Sequence, residues 1–139
     1  MTQDMKADEC NIRDMRPGIL VVDDEESIHL LLREELGEEG YIVHSAMSGE
    51  EALKIFDLAI HLGKPQIDLV ILDINMWPGM DGIEVLRQIK QKNPNMPVIL
   101  LSAYPEYKQD MASWASDDYI VKSFDLADLK ASVRRLLSK

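Results

Sequence analysis

The chain has 139 residues, 46% of them hydrophobic, and its formal net charge is −10. This length and composition predict one folded domain with a substantial core and argue against general disorder. The acidic balance argues against direct binding to nucleic acid or to an anionic membrane, because phosphate groups attract basic surfaces.

Residues 1–17 are predicted to be a flexible N-terminal leader, and residues 18–139 a single domain. The leader has no apolar segment of the kind found in secretory signals, and no apolar stretch approaches the roughly 20 residues that span a bilayer. Cys10 is the only cysteine, which rules out an internal disulfide. We therefore expect a soluble protein of the reducing cytoplasm, without a membrane partner.

Apolar runs alternate with apolar residues at helical spacing throughout the predicted domain. In chain order, the predicted elements are a strand over 19–23, a helix over about 26–38 that ends near Gly37 and Gly40, a strand over 41–45, a helix from the capping box at Ser48 to about Leu62, a strand over 67–73, a helix capped by Asp81, a strand over 97–102, a short helix near 107–115, a strand over 118–121 and a helix capped by Asp125. Five strand–helix pairs in alternation predict a parallel sheet covered by helices on both faces.

Polar residues stand at the carboxyl ends of four of the apolar strands. They are Asp23-Asp24, Asp73, Ser102 and Lys122. In an open parallel sheet, ligands bind in the crevice outside the carboxyl ends of the strands. Carboxylates, a hydroxyl and a lysine at one edge suit a divalent cation and a phosphoryl group.

Each of these residues also has a structural interpretation. Asp23-Asp24 could serve as a helix N-cap with an acidic first turn, and Lys122 could be an ordinary surface lysine. The three histidines lack metal-ligand spacing, and we interpret them as surface or core residues: His29, His44 and His61.

Five segments resemble the receiver domain of two-component response regulators, and they occur in the order that this family shows. They are Val21-Val22-Asp23-Asp24, Leu72-Asp73-Ile74-Asn75-Met76, Met80-Asp81-Gly82, Ser102-Ala103 and Tyr119-Ile120-Val121-Lys122. The resemblance covers roughly residues 18–138. It implies a three-layer, doubly wound (βα)5 flavodoxin-like fold with a five-stranded parallel sheet.

The resemblance implies that Asp73 accepts a phosphoryl group from a sensor histidine kinase or a phosphotransfer protein. Asp24 and Asp73 would bind Mg²⁺ directly, Asp23 would act mainly through water, and the backbone carbonyl of Asn75 would complete the protein ligands. Hard oxygen ligands of this kind are those that Mg²⁺ prefers.

The resemblance also assigns the remaining residues of the predicted site. Lys122 would pair with one phosphoryl oxygen, and the Ser102 hydroxyl would donate a hydrogen bond to another. Tyr119 matches the switch aromatic of the family, with a purely structural aromatic as the alternative. The output would be a population shift that alters binding of a downstream protein. No enzymatic activity is expected beyond phosphorylation and dephosphorylation of the domain itself.

Two departures from the family pattern adjoin the predicted site. Trp77 is an insertion in the loop after Asp73, where it would shield the phosphorylation site, contact a partner or simply pack in the loop. Ser123 follows Lys122 where the family usually has proline after a cis peptide bond, and cis bonds to other residues cost about 2.5–4 kcal/mol. The sequence does not decide between cis and trans here.

Aromatic and soft apolar residues are concentrated before the last predicted strand, at Tyr104, Tyr107, Met111 and Trp114. A recognition patch, or a homodimer through the last two helices, is one interpretation. Ordinary core packing is the other.

Three other functions are alternatives to a phosphorylatable receiver. A degenerate receiver would act as a constitutive interaction module. A haloacid-dehalogenase-type phosphatase needs a second aspartate two residues after the nucleophile, where this chain has Asn75. A flavodoxin-type flavin binder needs a phosphate loop after the first strand, where Asp24-Glu25-Glu26 would repel phosphate.

Overall fold

The structure of the protein is a computed structural model, and it describes residues 15–74, 82–103, 116–122 and 126–138. Strands and helices alternate through most of these ranges. In chain order they are β1 (Gly18–Val22), α1 (Glu26–Glu38), β2 (Ile42–Ala46), α2 (Gly49–Leu62), β3 (Leu69–Asp73), α3 (Gly82–Lys92), β4 (Val98–Ser102), β5 (Asp118–Val121) and α4 (Ala127–Leu137).

The five strands form one parallel sheet in the order β2-β1-β3-β4-β5. Because all of them run in the same direction, their carboxyl ends meet at one edge of the sheet. The predicted α/β fold with a five-stranded parallel sheet is confirmed. No helix in the described ranges has the length and apolar character needed to cross a bilayer.

The strands are buried on both faces, which explains their continuous apolar runs. Successive residues point to opposite sides, so that Leu20 and Leu72 pack with α2 and α3, whereas Ile19 and Ile71 pack with α1 and α4. The structure therefore has three layers, with the sheet between two layers of helices and one core on each of its faces. A shift of one residue would exchange the side chains of the two cores and disturb the packing of both.

Several element boundaries differ from the prediction. Strand β3 begins at Leu69 rather than at residue 67. Asp68 already contacts β1, because its N–H donates to the carbonyl of Gly18 at 2.7 Å and its side chain accepts from the N–H of Gly18 at 2.8 Å. Gly37 lies inside α1, and the exit from this helix is made by Gly40, whose φ is +95°. The helix predicted near 107–115 and the Asp125 cap lie outside the described residues.

The capping box predicted at Ser48 forms in part. The Ser48 hydroxyl accepts a hydrogen bond from the backbone N–H of Glu51 at 3.1 Å, as expected. The carboxylate of Glu51 accepts from the N–H of Met47 at 2.7 Å instead of from that of Ser48. Helix α2 therefore has a side-chain cap, while its reciprocal bond is shifted by one residue toward the N-terminus.

His44 gives the fold a pH dependence that can be measured. It lies in edge strand β2 beside Leu20 of β1, where burial and then the charge of Arg33 lower its pKa below the ordinary value of 6.5. As the pH falls through 6.5, the unfolded chain therefore binds a proton before the folded chain does, and stability is lost. We expect the free energy of unfolding to fall less between about pH 7 and pH 5 in His44→Gln than in the wild type, as measured by urea denaturation. Identical pH dependence in the two proteins would contradict this prediction.

Candidate functional site

The predicted site residues come together at the carboxyl edge of the sheet. Asp23 directly follows β1, Asp73 ends β3, Ser102 ends β4 and Lys122 directly follows β5. In the strand order, β1 neighbours β3, β3 neighbours β4, and β4 neighbours β5. The sheet topology therefore places these four residues side by side along one edge, as the sequence predicted.

Backbone hydrogen bonds extend the sheet by one residue beyond the strand ends. The N–H of Asp23 donates to the carbonyl of Ala46 at 3.1 Å, and the N–H of Lys122 donates to the carbonyl of Ser102 at 2.6 Å. The backbone that carries these side chains is therefore part of the rigid sheet, which suits a site that must hold its geometry.

Lys122 is the cation at the centre of this edge. Its Nζ lies 3.0 Å from Oδ2 of Asp23, 3.4 Å from Oε1 of Glu25 and 3.6 Å from Oδ2 of Asp73. Burial lowers the pKa of the Lys122 ammonium, but the contact with Asp23 and the charges of Asp23, Asp73 and Glu25 outweigh that effect and raise the pKa above its ordinary value. The lysine is therefore held in its charged form among three carboxylates.

Two of these carboxylates are almost fully buried, Asp23 at 1% and Asp73 at 3% exposure, whereas Asp24 and Glu25 are exposed. Removing a carboxylate from water is costly unless a positive charge compensates it. A single ammonium cannot neutralise all four acidic groups, and this edge of the sheet is left strongly negative. Such a site favours an additional cation.

The oxygen atoms of this edge have the chemistry of a magnesium site. One carboxylate oxygen from each of Asp23, Asp24 and Glu25 lies within 4.8 Å of the other two. Asp73, which was predicted as a direct ligand, is joined to this group through Lys122. Mg²⁺ prefers hard oxygen ligands and retains several waters, so the donor set fits this ion. Asn75, the other predicted ligand, and the inserted Trp77 lie outside the described residues.

Ser102 and Tyr119, the predicted switch pair, are buried on the same face of the sheet. Ser102 is 0% exposed, and Tyr119 is 6% exposed within the core that α2 and α3 cover. Tyr119 pairs in register with Leu100, two residues before Ser102 on the same strand. The structure thus places the hydroxyl and the aromatic ring on adjacent strands, and a switching role remains a prediction.

The structural alternative for the acidic pair, a helix cap at Asp23-Asp24, does not occur. The N-cap of α1 is Glu25, whose side chain makes no capping hydrogen bond. Oδ1 of Asp23 instead accepts the backbone N–H of Glu25 at 2.9 Å in a tight turn before the helix. The acidic pair is therefore presented by a turn at the strand end.

The sequence-based reasoning missed one residue of the site, Glu25, and one residue that contacts its backbone, His29. Glu25 contacts Lys122, and the run of three consecutive acids after β1 was an available signal for it. His29 is buried, and its Nε2 lies 2.7 Å from the backbone oxygen of Asp23. Nothing in its spacing indicated this contact. The peptide bond between Lys122 and Ser123 and the aromatic patch within 104–115 extend outside the described residues.

Gly82 allows the start of α3 to lie against the backbone of Asp73. A Cβ atom at this position would come within 2.1 Å of the Asp73 carbonyl oxygen and 2.8 Å of the Cα of Ile74. The N–H of Gly82 donates to the carbonyl of Ile74 at 3.0 Å, which closes the contact. The absence of a side chain at Gly82 therefore helps to position Asp73.

Gly82→Ala is expected to destabilise the protein by about 3 kcal/mol, because backbone rather than a flexible side chain would have to move. The control is Gly37→Ala in α1, where an added Cβ meets nothing within 4 Å. This control should stabilise the protein by about 0.5–1 kcal/mol, as expected for a glycine replaced within a helix. Urea denaturation of both variants measures the difference, and equal stabilities would contradict the close approach at Gly82.

Known proteins are similar to this chain in both sequence and fold. The family model of the response regulator receiver domain matches residues 19–134. The alkaline phosphatase synthesis transcriptional regulatory protein PhoP of Bacillus subtilis is 40% identical over 127 residues, which are 90% of this chain and 50% of PhoP. Sporulation initiation phosphotransferase F of the same organism is 36% identical over 125 residues, which are 88% of this chain and 95% of that protein. The chain thus spans about half the length of PhoP and nearly all of the phosphotransferase.

Solved structures give the same result. The response regulator TrrA of Thermotoga maritima, crystallised in complex with Mg²⁺-BeF, is 49% identical, with a TM-score of 0.75 over 86% of this chain and 98% of its own. A chain from the complex of the histidine kinase ThkA with TrrA is 50% identical, with a TM-score of 0.74 over 87% of this chain and 98% of its own. The acidic pair after β1, Asp73 at the end of β3 and the lysine after β5 lie in a matching fold, and this chain belongs to the response regulator receiver domain family.

Proposed function

We propose that this chain is a phosphorylatable receiver that accepts a phosphoryl group on Asp73 in a Mg²⁺-dependent reaction. The observation that carries the proposal is the position of Lys122, whose Nζ lies 3.6 Å from Asp73 and 3.0 Å from Asp23 at an edge rich in carboxylates. The relative TrrA, which was crystallised with Mg²⁺-BeF, supports the assignment of the cation.

In the proposed reaction, a carboxylate oxygen of Asp73 attacks phosphorus as the bond between phosphorus and the donor breaks. The bonding electron pair leaves with the donor, and an aspartyl phosphate results. The attack brings two anions together, so positioning and charge compensation supply most of the catalysis. Lys122 neutralises one phosphoryl oxygen, and the Ser102 hydroxyl donates a hydrogen bond to another.

The acidic residues of the edge would hold the cation. Asp24 and Asp73 are proposed as direct ligands, with Asp23 acting through water and Asn75 contributing its backbone carbonyl. Glu25 joins this set, because one of its oxygens lies within 4.8 Å of oxygens of Asp23 and Asp24. Bound Mg²⁺ would supply positive charge to the phosphoryl oxygens.

The output of the reaction is proposed to be a shift between two states of the domain. Movement of Ser102 toward the phosphoryl group would leave space that the ring of Tyr119 fills. The burial of both side chains supports this coupling. A phosphoryl group adds charge that such a hydroxyl can follow. The state reached after phosphorylation would then bind a downstream protein.

The phosphodonor is proposed to be a sensor histidine kinase or a phosphotransfer protein in the cytoplasm. The complex of TrrA with the histidine kinase ThkA supports this class of partner. With a formal net charge of −10, the domain itself is proposed to make no direct contact with nucleic acid. We propose no enzymatic activity beyond phosphorylation and dephosphorylation of the chain itself.

The test is incubation of the full chain with a small acyl phosphate and Mg²⁺, followed by measurement of intact mass. We expect a gain of one phosphoryl group that is lost when a chelator replaces Mg²⁺. The absence of any gain at high donor concentration would refute the proposal in favour of a degenerate receiver that acts as a constitutive interaction module.

A further inference from the structure

His29 lies in the first turns of α1 and has no role in the reaction proposed above. Its side chain is buried, with 4% exposure, and its Nε2 lies 2.7 Å from the backbone carbonyl oxygen of Asp23. A carbonyl oxygen can only accept a hydrogen bond, so Nε2 carries the hydrogen and donates it. In the neutral ring, Nδ1 is then an acceptor.

The imidazole of His29 is not the side chain that packing alone would favour. Its Nδ1 is buried and has no hydrogen-bond partner within the described part of the chain. A buried polar atom without a partner destabilises a fold, and an apolar side chain would avoid that cost. What the imidazole provides instead is the donor to Asp23.

This hydrogen bond completes the support of the acidic turn. The N–H of Asp23 is fixed to Ala46 at 3.1 Å, and its Oδ1 is fixed to the N–H of Glu25 at 2.9 Å. His29 fixes the remaining polar group of Asp23, the carbonyl. That carbonyl belongs to the peptide group that joins Asp23 to Asp24. The orientation of this peptide group therefore determines the position from which the Asp24 side chain extends.

We propose that His29 is a positioning residue for the cation site, and this inference rests on the function proposed above. Its Nε2–H holds the Asp23–Asp24 peptide so that neighbouring carboxylates present their oxygens to one divalent cation. Oxygens of Asp23, Asp24 and Glu25 lie within 4.8 Å of one another, a crowding of like charges that the backbone must sustain before a cation arrives. The hydrogen bond from α1 provides that support.

The experiment compares His29→Gln with His29→Met in the full chain. Glutamine and methionine have the same length, but only glutamine offers an N–H donor near the position of Nε2. The dissociation constant of Mg²⁺ is measured by calorimetry without phosphodonor, and the phosphorylation rate is measured at saturating Mg²⁺. We expect His29→Met to raise the dissociation constant about fivefold and His29→Gln to stay within about twofold of the wild type, as for the loss or retention of one hydrogen bond. The rate at saturating Mg²⁺ should change less than about twofold in both.

Two results would overturn the inference. One is an unchanged Mg²⁺ dissociation constant in His29→Met; the other is an equal loss in both variants, which would mean that only the packing of the ring matters. If His29→Met is unfolded at the assay temperature, His29→Phe takes its place, because its ring fills similar space without a donor. A wild-type chain that binds Mg²⁺ but gains no phosphoryl group would refute the proposed function and leave the Mg²⁺ comparison intact.

Discussion

Asp73→Asn is expected to abolish the Mg²⁺-dependent gain of a phosphoryl group. Asparagine preserves the shape of the side chain but replaces the nucleophilic carboxylate with a neutral amide. The variant should remain folded with a melting temperature at or above that of the wild type, because one of three carboxylates around Lys122 loses its charge. Intact mass and thermal unfolding measure the two effects on the same sample.

The matched control for this prediction is Asp57→Asn on α2. Asp57 is also paired with a lysine, Lys92 at 2.7 Å, but it lies outside the proposed site. It should gain the phosphoryl group as the wild type does. A full gain in Asp73→Asn would show that another residue is the acceptor.

Lys122→Met is expected to lower the rate of Asp73 phosphorylation by about 100-fold, the magnitude typical for removal of one electrostatic group aimed at developing charge. The same variant should bind Mg²⁺ about threefold more tightly, because an ammonium that repels the cation is gone while the carboxylates remain. These effects have opposite signs, so general damage to the site would not produce both. Phosphorylation rates at saturating Mg²⁺ and calorimetric titration without donor measure them.

Lys130→Met provides the control for the loss of a lysine. Lys130 of α4 pairs with Glu35 of α1 at 2.7 Å, and neither residue belongs to the proposed site. Lys130→Met should leave the phosphorylation rate and the Mg²⁺ affinity within about twofold of the wild type, because a surface salt bridge contributes little free energy. A rate in Lys122→Met similar to that of Lys130→Met would contradict the role of Lys122.

The fold was predictable because each buried strand corresponds to a continuous apolar run in the sequence. The apolar runs that end at Val22, Asp73, Ser102 and Val121 became parallel strands with their carboxyl ends aligned. Once the sheet is parallel, the polar residue at each strand end must lie at one edge. The position of the main residues of the candidate site therefore followed from the parallel direction of the strands, whereas their roles came from the resemblance to the family.

The finer features of the site depend on specific tertiary contacts, which residue types and spacing do not encode. Gly82 matters because the backbone of Asp73 passes close to it, and His29 matters because its ring reaches a carbonyl six residues earlier. In each case tertiary packing, rather than local propensity, decides the outcome.

The most direct test of the central claim is chemical mapping of the phosphorylated carboxylate. An acyl phosphate is reduced by borohydride, which converts a phosphorylated aspartate to homoserine, and peptide mass spectrometry then locates the product. This experiment separates an acceptor from a metal ligand, whereas loss of phosphorylation in Asp73→Asn fits both. We predict homoserine at position 73 alone after incubation with donor and Mg²⁺. Conversion at Asp23 or Asp24, or reduction of Glu25, without conversion of Asp73 would contradict the account.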